Sequence, residues 1–198
     1  MYDGLVLSTP MCPMCAERDP TTVDHVLPRK AWPEFSILPE NLVPACDVCN
    51  RRKRDRVANT AGEALFINPY RDDLSEVGFL DASVDTSSGT AVVQFFIREA
   101  VGEDAQLLAR AARHFEKLKL GELYRIKAIP EIQENALAVA RMLHGGVTTG
   151  AVRRSLEEQA QRTEKVRGKN HWRAVLHRRL AGNDDFAAGV CSPTAAGT

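Results

Sequence analysis

Two short cysteine pairs decide how this chain folds: Cys12-Pro-Met-Cys15 and Cys46-Asp-Val-Cys49. Thirty residues lie between them, including Thr21-Thr-Val-Asp-His25-Val-Leu-Pro-Arg-Lys30 and Asn41-Leu-Val-Pro44. Cysteines separated by two residues turn both thiolates toward one point. Two such knuckles supply the four soft ligands that a tetrahedral zinc ion prefers. A structural Zn²⁺ is therefore expected on Cys12, Cys15, Cys46 and Cys49. With every position taken by sulfur, no place remains for water or substrate, so the ion shapes the chain without joining a reaction. Residues 10–57 contain few large apolar side chains, and structural zinc supplies roughly 10–16 kcal/mol. A disulfide framework is disfavoured because nothing marks the chain as exported. A redox Cys-x-x-Cys is disfavoured because there are two pairs and no thioredoxin-like strand–helix pattern. The fifth cysteine, Cys191, lies in an Ala-, Gly- and Thr-rich tail and is read as a free thiol without a role.

Between the knuckles, the β-branched start of Thr21–His25 predicts a short strand ending near His25. Pro28, Pro33 and Pro39 predict an ordered, irregular loop. Leu42 and Val43 make a second short strand. Asn50-Arg-Arg-Lys-Arg-Asp-Arg56 lacks Gly and Pro and should start a helix. The order is strand, loop, strand, helix, with zinc clamping the ends.

The whole chain has 198 residues, 44% hydrophobic and 26% charged, as in a folded globular protein. Lysine plus arginine equals aspartate plus glutamate at 26 each, which excludes a generically polycationic nucleic-acid coat. No apolar run is long enough for a bilayer-spanning helix, so no membrane role is expected. Met1–Pro10 has no basic n-region and does not read as a secretory signal, so a cytoplasmic protein is expected. The zero balance hides a gradient. Residues 61–100 hold two basic and seven acidic side chains, whereas residues 151–180 hold nine and three. A polyanion should therefore meet particular surfaces only.

The segment between and after the knuckles resembles the HNH endonuclease family, whose core is a ββα-metal finger. The matching pieces are Val23-Asp24-His25 with Pro28 soon after, Pro39-Glu-Asn41-Leu-Val-Pro44, and Cys46-x-x-Cys49-Asn50-x-x-Lys53. They cover about a quarter of the chain. The third family position is usually His and here is Asn50. The resulting order His, Asn, Asn is also known in phage Holliday-junction resolvases that carry a four-cysteine zinc. The wording Leu-Pro-Arg-Lys…Pro-Glu-Phe-Ser-x-Leu-Pro is similar to a bacterial subgroup. Some of its members are nuclease subunits beside ATPases in phage defence, which implies an ATPase partner subunit.

The resemblance implies hydrolysis of DNA phosphodiester bonds, with 5′-phosphate and 3′-hydroxyl products. RNA has the same bond, so RNA cleavage remains an alternative, and so does a non-catalytic zinc module. His25 is the candidate general base, because a neutral imidazole can deprotonate water at cellular pH. Asp24 and Asn50 are the candidate ligands of a catalytic ion. Their oxygens are hard donors and favour Mg²⁺ or Mn²⁺ over a soft metal. Neighbours on a regular strand point to opposite faces, so Asp24 and His25 share one site only if the strand ends or twists there. Asn41 is expected to tie the loop and orient the base. Arg51, Lys53, Arg54 and Lys30 are candidate phosphate contacts, with Lys53 and Arg54 on the Asn50 face of the helix. Trp32 and Phe35 read as packing over the zinc core, or as stacking on bases.

The fold class expected is α+β: a zinc-stabilised nuclease core over 1–60, a connecting segment over 61–100, a helical domain over 101–182 and a structureless tail over 183–198. Within the connecting segment, Asn68-Pro-Tyr70 reads as a turn. Phe79–Val84 and Ala91–Ile97 flank Thr86-Ser-Ser-Gly89, a hairpin signal. A helix is expected from Glu103 with Leu107, Leu108, Ala111, Ala112, Phe115 and Leu118 as its apolar stripe. A second should run from about Glu122, broken or kinked near Pro130, to Gly145-Gly146. A third covers Thr149–Val166, and a fourth starts at Asn170 as N-cap and closes at Gly182. The basic excess of these last two reads as a solvated surface, with a DNA path or an acidic partner as alternatives. His114, His144, His171 and His177 show no ligand spacing.

Overall fold

The structure is a computed structural model that describes residues 2–99 and 105–191, apart from the side chains of Tyr2 and Asp3. It is mixed helix and strand, with two separate two-stranded antiparallel sheets. The chain divides into two compact units: Met1–Leu74 with Glu99–Leu120, and Ser75–Arg98 with Gly121–Thr198. These do not follow the expected borders at 60, 100 and 182. The hairpin groups with the later helices, and the first long helix groups with the zinc knuckles.

The first unit begins with a short helix, α1 (Tyr2–Val6), followed by β1 (Thr22–His25) and β2 (Leu42–Ala45). These strands pair with Asp24 opposite Val43 and His25 opposite Leu42. Two 3₁₀ turns, Pro33–Phe35 and Pro39–Asn41, fill the proline-rich loop. Helix α2 runs over Asp47–Lys53, three residues earlier than the sequence suggests. The cause is the knuckle: the Cys46 sulfur accepts from the Cys49 amide and caps the helix, so the second cysteine pair is its first turn. The helix ends at Arg54, whose φ of 53° and ψ of −141° break the repeat.

Helix α3 (Ala105–Lys117) closes the unit. The expected start at Glu103 lies outside the described residues. Its buried positions are Leu108, Ala111 and His114, followed by Leu118 beyond its end, so a histidine takes a core position within the apolar stripe, while Ala112 is exposed. The core here is small: the four cysteines, Met14, Leu42, Val43, Ala45, Leu65, Phe66, Leu120 and these helix residues.

The second unit has a conventional apolar core. Hairpin strands β3 (Leu80–Asp85) and β4 (Val92–Ile97) pair from Leu80–Ile97 to Asp85–Val92. Phe95 meets Tyr124 and Trp172 edge-on at 5.7 and 6.5 Å. Helix α4 (Leu120–His144) runs unbroken through Pro130, where a break or kink was expected. The buried Ala128, Ile132, Ala136 and Val139 hold the helix on both sides of the proline. That packing outweighs its one lost hydrogen bond.

Helix α5 (Thr149–Arg167) is capped by Thr148. Helix α6 (Trp172–Ala181) is capped by His171, not Asn170. Asn170 serves the hairpin edge instead, accepting from the Phe79 and Leu80 amides and donating to the Val77 carbonyl. The expected structureless tail begins with structure. Helix α7 (Asp184–Ala187) buries Phe186 and Ala187, and Cys191 is 6% exposed. Phe186 supplies the apolar anchor that the composition of the tail masks. Residues 192–198 lie outside the described residues. No described helix is long and apolar enough to cross a membrane.

Candidate zinc and phosphodiester site

The four sulfurs of Cys12, Cys15, Cys46 and Cys49 lie within 4.8 Å of one another, all buried. A tetrahedron of Zn–S bonds of about 2.3 Å needs sulfurs roughly 3.8 Å apart, so the cluster fits a zinc ion. The first knuckle is set by the Cys15 and Ala16 amides, which donate to the Cys12 carbonyl at 3.2 and 2.8 Å. His114 braces this knuckle from α3. Its Nε2–H donates to the Met14 carbonyl at 2.7 Å, and its Nδ1 accepts from the Ile67 amide at 3.2 Å. Burial drives its pKa down to about 4, so it is the neutral form that braces.

His25 sits at the end of β1, half-buried. Its Nε2 lies 3.2 Å from the Ser36 carbonyl oxygen. A carbonyl only accepts, so Nε2 carries a proton, and in the neutral ring the lone pair is on Nδ1. The loop that provides this carbonyl is held by Asn41, which is 4% exposed. Asn41 Oδ1 accepts from the Leu27 amide at 2.7 Å, while its Nδ2 donates to the Leu27 and Phe35 carbonyls at 3.1 and 3.0 Å. Asn41 thus acts on His25 through Phe35 and Ser36, without touching the ring.

Asp24 and His25 engage different surroundings, as strand alternation requires. Asp24 is 5% exposed and meets Lys53, whose Nζ is 3.0 Å from Oδ2 and 3.4 Å from Oδ1. Lys53 also donates to the His25 carbonyl at 2.6 Å. Burial pushes the Asp24 carboxyl up, and the ammonium beside it pulls part of the way back. Removing one partner of such a pair costs about 3–5 kcal/mol. Lys53 is only 3% exposed, so it is not on the surface to meet phosphate as expected. The i, i+3 spacing that aligned it with Asn50 turns it under α2 toward β1, where Asp24 supplies its counter-charge. Asn50 also faces β1, donating through Nδ2 to Thr22 Oγ1 at 3.0 Å. Asp24 and Asn50 do not share a partner.

The donor set suits a hard cation in chemistry, and Asp24 already holds a positive charge in the form of the Lys53 ammonium. A metal ion at Asp24 competes with that ammonium. Asp24 and Lys53 border a cavity of about 170 Å³, walled elsewhere mainly by apolar side chains such as Met14, Val43 and Phe66, with Arg110 as a second cation and without Asn50.

Arg51, Arg54 and Lys30 are exposed. Trp32 is half-buried and Phe35 exposed, so the expected packing of both over the zinc core holds for neither fully. Asn68 makes a turn: its Oδ1 accepts from the Tyr70 amide and its carbonyl from the Arg71 and Asp72 amides. Three contributors escaped the sequence reading. The Ser36 carbonyl is a backbone group and leaves no signal in a sequence. Thr22 was visible only as a β-branched residue. Tyr70 donates its hydroxyl to the Leu42 carbonyl at 2.6 Å, which docks the turn on β2; its Pro-Tyr context was the available hint.

Residues 12–56 match the HNH endonuclease family. Protein ea31 of Escherichia phage lambda is 28% identical in a match spanning 95% of this chain and 67% of that protein. No solved structure matches the chain. The strand–loop–strand–helix order, the sulfur cluster that closes it and the family match agree: residues 12–56 are an HNH endonuclease domain with a four-cysteine site fit for zinc.

Proposed function

We propose that the chain is a metal-dependent endonuclease that hydrolyses DNA phosphodiester bonds, with His25 as general base. The observation that carries this reading is the His25 ring. Its Nε2–H is committed to the Ser36 carbonyl, which leaves the Nδ1 lone pair to take a proton from water. That water attacks phosphorus, the bond to the 3′ oxygen breaks, the leaving 3′ oxygen takes a proton from solvent, and 5′-phosphate and 3′-hydroxyl ends result. Asn41 fixes the loop on which the ring orientation depends. Oxygens of Asp24 and Asn50 are the proposed holders of Mg²⁺ or Mn²⁺. Such an ion, when bound, neutralises charge on the scissile phosphate and the leaving oxygen.

The proposal extends to a cytoplasmic setting in phage defence with an ATPase partner subunit. The phage-defence setting and the ATPase partner are supported by the resemblance of residues 27–39 to the bacterial subgroup, and the cytoplasmic setting by Met1–Pro10, which does not read as a secretory signal. A non-catalytic zinc module is the second reading. The Asp24–Lys53 pair favours it, because a structural role already accounts for that carboxylate.

One experiment separates these readings. Zinc-loaded protein and its His25→Ala variant are incubated with plasmid DNA, and in parallel with tRNA, at millimolar Mg²⁺ or Mn²⁺. DNA nicking by wild type and its loss in the variant, with DNA affinity retained, is the expected result. Cleavage of tRNA alone transfers the activity to RNA. No cleavage of either polymer by wild type leaves the binding module.

A further inference from the structure

The ends of α2 and α3 border an open cleft of about 830 Å³. Six cations line it, Arg51, Arg52, Arg54, Arg56, Lys117 and Lys119, against two carboxylates, Asp55 and Glu116. The cations divide by what they do. Arg52 and Arg56 build the cleft. Arg52 donates to the Leu118 carbonyl beyond the end of α3, and Arg56 donates to the Lys53 and Arg52 carbonyls at the end of α2. Both satisfy orphan carbonyls; Arg52 pins the two helix ends together, and Arg56 caps the end of α2. Arg51, Arg54 and Lys119 are exposed and Lys117 half-buried. Arg51 and Lys117 have only solvent-exposed carboxylates beside them, Asp47 and Glu116. Such pairs hold their cations weakly and give way to a better anion.

Arg54 and Lys119 add a second observation. Both have positive φ, 53° and 51°, two of the three non-glycine residues so placed among the described residues. With ψ at −141°, Arg54 is near a region adopted almost only by glycine. Glycine would relax there, so the strained arginine needs a reason outside backbone preference. No ion pair or side-chain hydrogen bond engages Arg54 among the described residues. Its side chain is held out at the cleft, one residue after the lysine that binds the His25 carbonyl.

We infer that this cleft is a track for the sugar–phosphate backbone of the nucleic acid, presented by Arg54, Lys117 and Lys119 and leading away from the His25 end of β1. The inference rests on the nuclease reading for its direction, but the charges contributed by α3 lie outside the segment that matches the family. Phosphate contacts of this kind position a strand and are indifferent to its sequence.

The test uses the full zinc-loaded chain without added Mg²⁺ or Mn²⁺, and measures fluorescence anisotropy against a labelled DNA duplex and a labelled tRNA over a salt series. The variants are Arg54→Gly and the double Lys117→Gln/Lys119→Gln. Each phosphate contact contributes about 0.9 to the slope of log affinity against log salt for duplex DNA. Arg54→Gly is expected to lower the slope by about 0.9 and the double variant by about twice that. Affinity at moderate salt should fall roughly three- to tenfold per cation removed. Arg54→Gly should also raise the melting temperature by several degrees, because relief of strain and loss of binding are separate effects. A larger affinity for DNA than for tRNA, or the reverse, identifies which polymer supplies the backbone. Unchanged slopes in both variants overturn the inference. So does a lowered melting temperature for Arg54→Gly, which would make Arg54 a structural residue. Displacement of DNA by polyglutamate at charge-matched concentration would assign the cleft to an acidic protein segment and also overturn it. Binding is read independently of cleavage: a protein that cuts nothing yet binds with the full slope loses the nuclease reading and keeps the track.

Discussion

Residues 51–56 carry five cations and one carboxylate, and residues 151–180 carry nine cations and three carboxylates. By sequence they are comparable basic regions. In the fold they differ. Of the nine, Arg153 pairs with Asp184, Lys169 with Glu76, Arg173 with Glu131, Arg178 with Glu164 and Arg179 with Asp81. Glu76 and Asp81 come from the acidic stretch 61–100, so part of the charge gradient along the chain is cancelled within the second unit. Around α2, Lys53 is consumed by Asp24 and Arg51 meets exposed Asp47, but Arg52, Arg54 and Arg56 have no carboxylate partner among the described residues. A charge count therefore does not locate a polyanion surface. What matters is whether folding delivers counter-charges from elsewhere. The two units also differ in what holds them together: a sulfur cluster with a small core in one, aromatic and aliphatic packing in the other.

The largest expected effect tests that second contrast. Removal of zinc by a chelator, or Cys46→Ser, should abolish the ordered state of the first unit, because roughly 10–16 kcal/mol of apparent binding energy is at stake. The helical circular dichroism and near-ultraviolet tryptophan signal of the second unit should persist, since Trp172 is buried among its own neighbours. Loss of both signals together would break the contrast. Next comes pH. His114 titrates near 4 when folded and near 6.5 when unfolded. The unfolded chain therefore takes up the proton first as pH falls. The stabilisation is intact above about 6.5 and declines toward pH 4, by about 3 kcal/mol in all. Thermal melts of wild type and His114→Gln, with zinc content measured in the same samples, should show a flatter acid limb in the variant.

How much of this was legible depends on the kind of interaction. The zinc cluster and the strand–loop–strand–helix order were readable because ligand spacing and proline positions are local. The hairpin was readable because Gly89, with φ of 77°, sits in the turn its sequence announces. The cap of α6 was misassigned because His171 and Asn170 both have capping chemistry, and only tertiary contact with β3 decides between them. The inward turn of Lys53 was not readable, because α2 starts at the knuckle and packs its Asn50–Lys53 face on β1. His114 showed no ligand spacing because its partners, Met14 and Ile67, are 100 and 47 residues away.

Counter-charge in the second unit is strongest at Asp81, which both Arg98 and Arg179 contact. Burial alone would raise its pKa, but hydrogen bonds from Arg179, the Ala82 amide and Arg98 outweigh burial and hold it at about 2. Its stabilising contribution is present above the ordinary carboxylate pKa and is lost as pH falls toward 2. Asp81→Asn should cost about 2 kcal/mol, less than a fully buried pair because both arginines are half exposed. Urea titration of the tryptophan signal measures it. The same variant leaves two arginines uncompensated, so it should also strengthen binding of a nucleic acid to the second unit.

The smallest effect gives the sharpest control. Arg178 and Glu164 form an exposed pair at 3.0 Å, with side chains 43% and 38% accessible. Pairs of this kind contribute about 0.2–1 kcal/mol. Arg178→Gln should therefore shift the midpoint of unfolding barely beyond error. Because its charge is already matched within the fold, it should change nucleic-acid affinity by less than about twofold, with the salt slope preserved. Arg54→Gly removes the same formal charge from a position with no carboxylate partner and should lower the slope. If the two arginines prove equivalent in that measurement, net charge alone governs binding, and the distinction between a neutralised and an unneutralised basic surface fails for this molecule.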